Sequence, residues 1–231
     1  MKLSVIRPRP IMVLALVCVV AVTAWLSKWQ FSRASYKQQL FQAQVVARSI
    51  PPSVWHGERG SEYQFRRFVL NGHWIRDQTI YLDNKIFRGT AGYWVVQPFQ
   101  LTGNGRLVPI VRGWLPRQSG KPEWRGRDVV GNVAIQTRLI GAENKPYMLT
   151  PENRNGDIWQ HFEFDQYRQK IGSDLEHVFM QEVAEEHDGL TRQWEDPKSD
   201  EAKHLGYALQ WFFLGCVALI IFMKFHVKLD R

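Results

Sequence analysis

One histidine stands at a place where a metal-binding side chain would be useful. His204 directly precedes an uncharged apolar run, Leu205–Met223. Helical spacing puts one set of residues along a single face: His204, Tyr207, Ala208, Trp211 and Gly215. A histidine above small and aromatic side chains suits axial ligation of iron in a flat macrocycle. The residue types by themselves favour a simpler alternative, an interfacial histidine whose ring tip meets water while Ala208 and Gly215 let a second helix approach closely.

The rest of the sequence offers little ordered chemistry. The other six histidines are spread singly, without the spacing of metal ligands. Cys18 and Cys216 lie one in each of two apolar segments, so there is no disulfide framework, C-x-x-C pair or c-type haem attachment. No G-x-S-x-G, P-loop, H-E-x-x-H or dinucleotide-binding motif occurs. The pattern therefore favours a binding function over an enzyme, for which only scattered Asp, Glu and His side chains are available.

Two further groups place a cation close to an aromatic ring. Trp29, Gln30 and Arg33 follow the first apolar segment and match an interfacial belt in which Trp anchors and Arg reaches lipid head groups. The motif Arg112–Pro116 ends a predicted strand, where its arginine and tryptophan could stack, bind an acidic group or contact another protein. A structural corner, with Gly113 allowing the bend, explains that motif equally well.

Several motifs occur along the chain in a familiar order. They are Trp29-Gln30-Phe31-Ser32-Arg33 with Lys37, Gly72-His73-Trp74, Tyr81-Leu82-Asp83-Asn84, Gly92-Tyr93, Arg112-Gly113-Trp114-Leu115-Pro116 and His204-Leu205-Gly206-Tyr207-Ala208-Leu209-Gln210-Trp211-Phe212. The last two are the most specific, and the region 144–157 is only loosely similar. In order and spacing these motifs resemble the Surfeit locus protein 1 family, assembly factors of haem-copper cytochrome c oxidase, across nearly the whole chain.

The resemblance implies a non-enzymatic protein that helps to build the catalytic subunit of cytochrome c oxidase together with other assembly factors. In bacterial members the histidine that matches His204 binds haem a, so the resemblance reverses the preference for a plain interfacial histidine. On this hypothesis His204 is the axial ligand of the haem iron, and Tyr207 and Trp211 line the site. The implied partner-binding residues are Trp29, Arg33, Arg112 and Trp114. The alternative is a cofactor-free scaffold that stabilises a partly built oxidase subunit.

Two apolar segments are expected to form transmembrane helices. Ile11–Ser27 and Leu205–Met223 carry no charge and are close to the roughly 17–25 residues that a spanning helix needs. Each could instead be a buried helix of a soluble protein, although an all-round apolar surface is rare on a surface helix. The first could also be a cleaved signal peptide, with Val22-Thr23-Ala24 as the cleavage site.

Basic residues near the spans indicate the orientation. They are Lys2, Arg7 and Arg9 before the first span, and Lys224, Lys228 and Arg231 after the second. The positive-inside rule then places residues 1–10 and 224–231 in the cytoplasm and residues 28–204 on the outer side. The short stretch before the first span is unlike an Arg- and Ser-rich mitochondrial transit segment. We therefore expect a bacterial inner-membrane protein with a periplasmic domain.

The net charge excludes one class of partner. Of the formal charge of +8, three positive charges precede the first span and a net two follow the second, which leaves +3 between them. That is too little to indicate binding of nucleic acid.

Between the spans the sequence predicts one mainly β domain. Gly92–Gln100 and Arg106–Trp114 flank Thr102-Gly103-Asn104-Gly105, whose residues tolerate positive φ, and so predict a hairpin. Pro98 and Pro109 should lie at strand edges or bulges. Alternating residues over Val129–Ile140 predict a strand with one buried face.

Further strands are predicted at Tyr63–Trp74, Thr79–Leu82, Ile158–Phe164 and His177–Val183, and a short helix at Gln166–Ile171. Together these elements predict a barrel-like or curled sheet of the α+β kind.

The two ends of the domain differ in character. Trp29–Ser49 is rich in helix formers and is followed by Pro51-Pro52, so the first helix should continue outward as a stalk and stop there. Ala184–Lys203 is rich in charge and is expected to be a solvated tether or lid.

Overall fold

The computed structural model describes residues 2–5, 8–124, 126, 131–140, 154–184, 188–194 and 200–230. Contacts divide the chain into two compact units. The first, here the helical unit, comprises Met1–Gln42 and Asp196–Arg231, and the second, the β unit, comprises Ala43–Glu195.

The elements follow one another in chain order as β1 Lys2–Val5, α1 Pro10–Ser49, β2 Ser53–Val54, β3 Arg67–Trp74, β4 Ile80–Phe87, β5 Thr90–Leu101, β6 Leu107–Pro116, β7 Val133–Leu139, β8 Arg154–Asn155, β9 Ile158–Trp159, α2 Phe164–Ile171, β10 Met180–Glu182, α3 Glu201–His226 and β11 Val227–Asp230.

Helices α1 and α3 are both long and apolar enough to cross a membrane. Helix α1 has 40 residues and α3 has 26, whereas a span needs about 20. The predicted continuation of the first helix to Ser49 is confirmed, and Pro51-Pro52 follow its end because proline lacks the amide hydrogen that a helix interior requires. Membrane insertion and the side on which the β unit lies stay predictions.

The two long helices touch along a seam of small and hydroxyl side chains. Ser27 Oγ donates a hydrogen bond to the carbonyl oxygen of Ala208 at 2.9 Å. A Cβ added at Gly215 would lie 2.7 Å from Thr23 Oγ1. Helices approach this closely only where small residues face each other, and the residue order along the seam shows that α1 and α3 run antiparallel.

The β unit is built on a nine-stranded sheet with the order β2-β3-β7-β10-β6-β5-β4-β9-β8. Strand β3 also pairs with the end of β5, through Gly72 opposite Leu101 and Trp74 opposite Phe99. This pairing joins β3, β7, β10, β6 and β5 into a closed ring of strands. The predicted barrel-like sheet is therefore confirmed, with the remaining strands extending from the ring.

The predicted central hairpin is also confirmed. Strands β5 and β6 pair in antiparallel register, and Gly103 and Gly105 in the connecting loop have φ of +106° and +68°, a region that glycine adopts without strain. The prediction for the prolines is wrong, because Pro98 and Pro109 face each other inside the two strands. At Pro98 the missing amide hydrogen is tolerated because neither neighbouring strand pairs with β5 at this residue. The pairing with β4 extends along β5 only as far as Val96, and the pairing with β3 starts at Phe99 of β5.

The remaining strands are shorter or longer than predicted. Strand β7 has buried Ile135, Thr137 and Leu139 alternating with more exposed residues, as predicted; Val129 and Val130 lie outside the described residues. Strand β4 extends past its predicted end to Phe87. The strand predicted at Ile158–Phe164 ends at Trp159, because α2 already begins at Phe164.

The core of the β unit is rich in aromatic side chains. Its largest fully buried residues are Trp159, Tyr167, Phe68, Phe99 and Phe179. Burial of one such side chain contributes roughly 1.5–3 kcal/mol. Phe162 links α2 to the sheet, since its ring stacks on Phe179 at 4.5 Å and meets Tyr167 edge-on at 5.2 Å.

The prediction of a solvated tether is wrong for the segment 188–194. Leu190 is buried, and Trp114 and Thr191 exchange two backbone hydrogen bonds of 2.8 and 2.9 Å. Trp194 meets Trp94 edge-on at 5.8 Å and donates through Nε1 to the carbonyl of Glu182. Asp188 and Arg192, two charged residues of this segment, are paired inside the protein.

Candidate functional site

His204 lies in the first turn of α3 and is half-buried. Its Nδ1 is 2.8 Å from Oε1 of Gln30 on α1. A carbonyl oxygen can only accept, so Nδ1 is the donor in this contact, and in the neutral ring Nε2 then carries the lone pair. Nε2 makes no hydrogen bond with any residue in the described part of the chain. The ring is therefore oriented through one nitrogen and offers the other as a metal ligand.

The surroundings of His204 decide where a flat ligand fits. Ala208 and Gly215 face α1 at close range, with Ser27 and Thr23 against them, so the seam has no room for a macrocycle. Tyr207 is 54% exposed and Trp211 is partly buried. Both aromatic residues follow His204 at helical spacing, so a flat ligand held by His204 would lie against the outer side of α3 and not between the helices. The roles assigned to His204, Tyr207 and Trp211 stay predictions.

Trp29 and Arg33 lie on α1, one residue before and three residues after Gln30. Trp29 is 44% exposed, and the Arg33 guanidinium lies 5.7 Å from the centre of its ring. Both side chains are open to lipid head groups or to a protein partner. Their partner-binding role stays a prediction.

Gln30 is the site residue that the sequence reasoning missed. The sequence groups Gln30 with its neighbours in an interfacial belt, whereas in the structure it contacts a side chain 174 residues away. One signal could have found it. Thr23, Ser27, Gln30 and Ala34 recur at intervals of four, three and four along one face of α1, which is the spacing of a helix seam.

Arg112 and Trp114 do not form an exposed partner surface in the β unit. Arg112 is 3% exposed, and its guanidinium lies 3.8 Å from the ring centre of Trp74 and 5.1 Å from that of Trp124. Trp114 is 8% exposed and donates through Nε1 to the carbonyl of Lys85 at 2.8 Å. Both side chains are thus occupied within the same chain, and their partner-binding role stays a prediction.

Arg112 belongs to a buried network of two arginines and two carboxylates, with Glu182, Asp188 and Arg192. Arg112 Nε lies 2.7 Å from Glu182 Oε2, and Arg192 Nη2 lies 2.5 Å from Asp188 Oδ2. Every side chain in the network is at most 4% exposed. Charges this deeply buried are tolerated only when they are paired, so the network holds β6, β10 and the segment 188–194 together.

The electrostatics of this network favour its charged form. Burial alone would raise the pKa of Asp188, but hydrogen bonds and charge from Arg192 outweigh it and hold the pKa below the ordinary carboxyl value. Burial alone would lower the pKa of Arg192, but Asp188 and Glu182 raise it instead. Asp188 and Arg192 therefore stay ionised at neutral pH.

A cleft of about 710 Å³ lies elsewhere in the β unit, beside Trp55, Leu70, Leu101 and Glu176. The buried carboxylate of Glu176 is paired with Arg59 at 2.5 Å and with Arg106 at 2.7 Å. Two arginines and one carboxylate leave a formal charge of +1, but all three side chains are already paired with one another. The cleft is a weaker candidate site than His204.

Within the described ranges, no three His, Cys, Asp or Glu side chains are grouped to hold a bare metal ion. A single histidine is nevertheless sufficient for a metal whose other ligands come from a macrocycle. The donor set at His204 therefore fits haem better than it fits a free cation.

Comparison with known proteins agrees with the motifs. A SURF1-like protein of Rickettsia felis is 23% identical over 209 residues, which cover 87% of this chain and 90% of that protein. Surfeit locus protein 1 of Rattus norvegicus is 23% identical over 177 residues, 69% of this chain and 58% of the rat protein. The cytochrome oxidase assembly protein SHY1 of Saccharomyces cerevisiae is 25% identical over 108 residues, and the match spans 45% of this chain but only 28% of the yeast protein.

The SURF1 family model matches residues 17–216, which include the whole β unit, α1 from residue 17 onward and α3 as far as residue 216. The resemblance drawn from the motifs is thereby confirmed, and this chain belongs to the SURF1 family.

Proposed function

We propose that this protein is a membrane-anchored assembly factor for haem-copper cytochrome c oxidase that binds haem a through His204 and aids its insertion into the catalytic subunit. The proposal rests on one observation above all, the histidine whose Nδ1 is held by Gln30 while Nε2 stays available. Family membership and the printed name of the yeast relative, a cytochrome oxidase assembly protein, support the choice of client.

The membrane topology forms part of the proposal. Two helices of sufficient length and apolarity support two spans, and the basic residues at both ends of the chain place the termini in the cytoplasm. The β unit would then lie in the periplasm of a bacterial cell. The match to a Rickettsia protein along nearly its whole length supports a bacterial inner-membrane setting.

The residues at the site suit temporary binding. Haem would supply the iron, and His204 would hold it through Nε2. Tyr207 and Trp211 would cover part of the macrocycle, while the exposure of Tyr207 leaves the ligand accessible from outside the seam. A carrier that must release its cargo needs a single protein ligand and an open side, and this arrangement provides both.

The test compares visible spectra of the full chain purified in detergent from cells that make haem a. The wild type, His204→Ala and His226→Ala are measured at equal protein concentration. His226 is the matched control, because it lies on the same helix and also has its Nδ1 hydrogen-bonded, to the carbonyl of Phe222. A haem band that is lost only in His204→Ala supports the proposal. A wild type without haem, or a band that survives in His204→Ala, contradicts it.

A cofactor-free scaffold is the second candidate, and one observation favours it. The bond between Ser27 Oγ and the carbonyl of Ala208 joins the two long helices without any ligand, so a scaffold does not depend on His204. Oxidase assembly in cells that carry His204→Ala separates the two functions. Normal assembly favours the scaffold, and failed assembly with normal protein level favours the haem carrier.

A further inference from the structure

We infer that Gln30 is a positioning residue for His204, so that the haem-binding site is built by both long helices and not by α3 alone. This inference rests on the proposed haem-binding function. The carbonyl of Gln30 accepts the Nδ1 proton of His204, which sets the tautomer and the plane of the ring. Nε2 is then the ring nitrogen that points its lone pair at the iron.

The geometry makes this contact specific. Nδ1 and Oε1 are 2.8 Å apart, a normal length for a hydrogen bond between a ring nitrogen and a carbonyl oxygen. In the described part of the chain neither side chain has any other hydrogen bond. Without Gln30 the ring would be free to exchange its tautomers and rotate, and both changes would cost affinity for a metal.

The seam holds Gln30 at the right height along α3. Ser27 Oγ bonds the carbonyl of Ala208, and Thr23 lies against Gly215. Both contacts lie on the N-terminal side of Gln30 in α1, and they fix the register of the two helices there. A shift of one residue would move the amide about 1.5 Å along the axis, and a larger slip would break its contact with the histidine.

An amide acceptor at Gln30 suits a protein that binds haem temporarily. Metal-bound histidines usually donate their second N–H to an acceptor, which fixes the ring and raises its basicity as a ligand. A carboxylate in this place would draw the proton more strongly and tighten the iron–histidine bond. A neutral carbonyl orients the ring with a smaller effect on bond strength, which suits a haem that must be released.

The first test needs no haem. The full chain in detergent is labelled with ¹⁵N-histidine, and the tautomer of His204 is read from its ring-nitrogen shifts in wild type, Gln30→Met and Ser27→Ala. Methionine keeps the length of the side chain but removes the acceptor, and Ser27→Ala removes a neighbouring interhelical bond without touching the histidine. We expect the Nδ1-protonated form in wild type and Ser27→Ala, and its loss in Gln30→Met. The same tautomer in all three overturns the inference.

The second test uses the haem-loaded protein and the iron–histidine stretching frequency of the ferrous form. Gln30→Met should lower the frequency and weaken haem affinity roughly 10-fold or more, the usual scale for loss of such an acceptor. Gln30→Glu should raise the iron–histidine frequency above that of Gln30→Met and should restore binding of haem. Ser27→Ala should match the wild type in both measurements. Equal frequencies in wild type, Gln30→Met and Gln30→Glu overturn the role of Gln30 while the haem-carrier proposal stands.

The two proposals fail in different ways. Wild-type protein without haem overturns the carrier function and with it any positioning toward iron, whatever the tautomer is. Haem that is bound through His204 but is insensitive to Gln30 overturns only the positioning role.

Discussion

Arg112 and Glu182 meet inside the β unit with 2.7 Å between Nε and Oε2, and their side chains are only 4% and 1% exposed. The pair joins β6 to β10, and Arg192 and Asp188 extend it to the segment that precedes α3. A motif that resembled a recognition surface in the sequence is thus part of the interior. Its energetic role can be measured.

Breaking this network should destabilise the protein strongly. Glu182→Gln leaves both arginines short of a negative charge in a buried place, and removal of one partner from a buried pair costs about 3–5 kcal/mol. Chemical denaturation of the full chain in detergent, followed by tryptophan fluorescence, measures the loss. Arg168→Gln is the control, since its ion pair with Asp165 is exposed on both sides and should change stability by no more than about 0.5 kcal/mol. Equal stability of the two variants would contradict the buried role.

The same network should make the β unit sensitive to acid. The pKa of Asp188 is lower in the folded protein than in an unfolded chain, where it is about 3.9. The folded state therefore binds fewer protons, so this stabilisation is full above about pH 4 and is lost as the pH falls through the folded pKa. Thermal melting between pH 7 and pH 3 measures it. Asp188→Asn should be less stable at pH 7 and should lose less stability on acidification; parallel curves for the two proteins would count against the prediction.

The helix seam should depend on the absence of a side chain at Gly215. A Cβ there would lie 2.7 Å from Thr23 Oγ1, whereas nothing lies within 4 Å of one at Gly206. Gly215→Ala should therefore weaken the contact of the two helices by about 1–3 kcal/mol, the usual range for overfilled sites. Cysteine cross-linking between the helices, or thermal melting in detergent, measures the change.

Gly206→Ala serves as the control for Gly215→Ala because it lies on the same helix and meets no atom. Thr23→Ala combined with Gly215→Ala should recover much of the loss, since it removes the oxygen that clashes. No difference between Gly215→Ala and Gly206→Ala would show that the seam tolerates a wider spacing.

The packing of the segment 188–194 against β6 gives a fourth prediction. A Cβ at Gly113 would lie 2.7 Å from Cβ of Leu190, so Gly113→Ala should displace that segment and lower stability by about 1–3 kcal/mol. Leu190→Ala alone should cost about 2–5 kcal/mol because it empties a buried site.

A double-mutant cycle tests whether the two residues act on each other. Alanine keeps the Cβ of residue 190, so the clash at residue 113 remains in the double variant. A segment already displaced by Gly113→Ala no longer buries Leu190, however, so the two changes together should cost clearly less than the two single losses added. Denaturation of the four proteins under one condition measures the coupling. Additive losses would mean that Leu190 does not lie over Gly113.

The chain's local patterns determined its elements and its family. Uncharged runs at both ends predicted two helices, the prolines after Ser49 marked the end of the first, and the glycine-rich loop at residues 102–105 predicted the central hairpin. These features depend on neighbouring residues, so they can be read from periodicity and turn chemistry. The motifs around Arg112 and His204 were sufficient to indicate the family, which the match over residues 17–216 confirmed.

Only the tertiary structure decided which distant side chains meet. Charge composition predicted exposure for the segment 188–194, but Asp188 and Arg192 are buried because Glu182 and Arg112 neutralise them. The neighbours of Gln30 in the sequence indicated an interfacial belt, yet the side-chain oxygen of Gln30 accepts a hydrogen bond from a histidine 174 residues further along. Such pairings depend on how helices and strands assemble, and a single sequence carries no local record of the partner that each polar group will find.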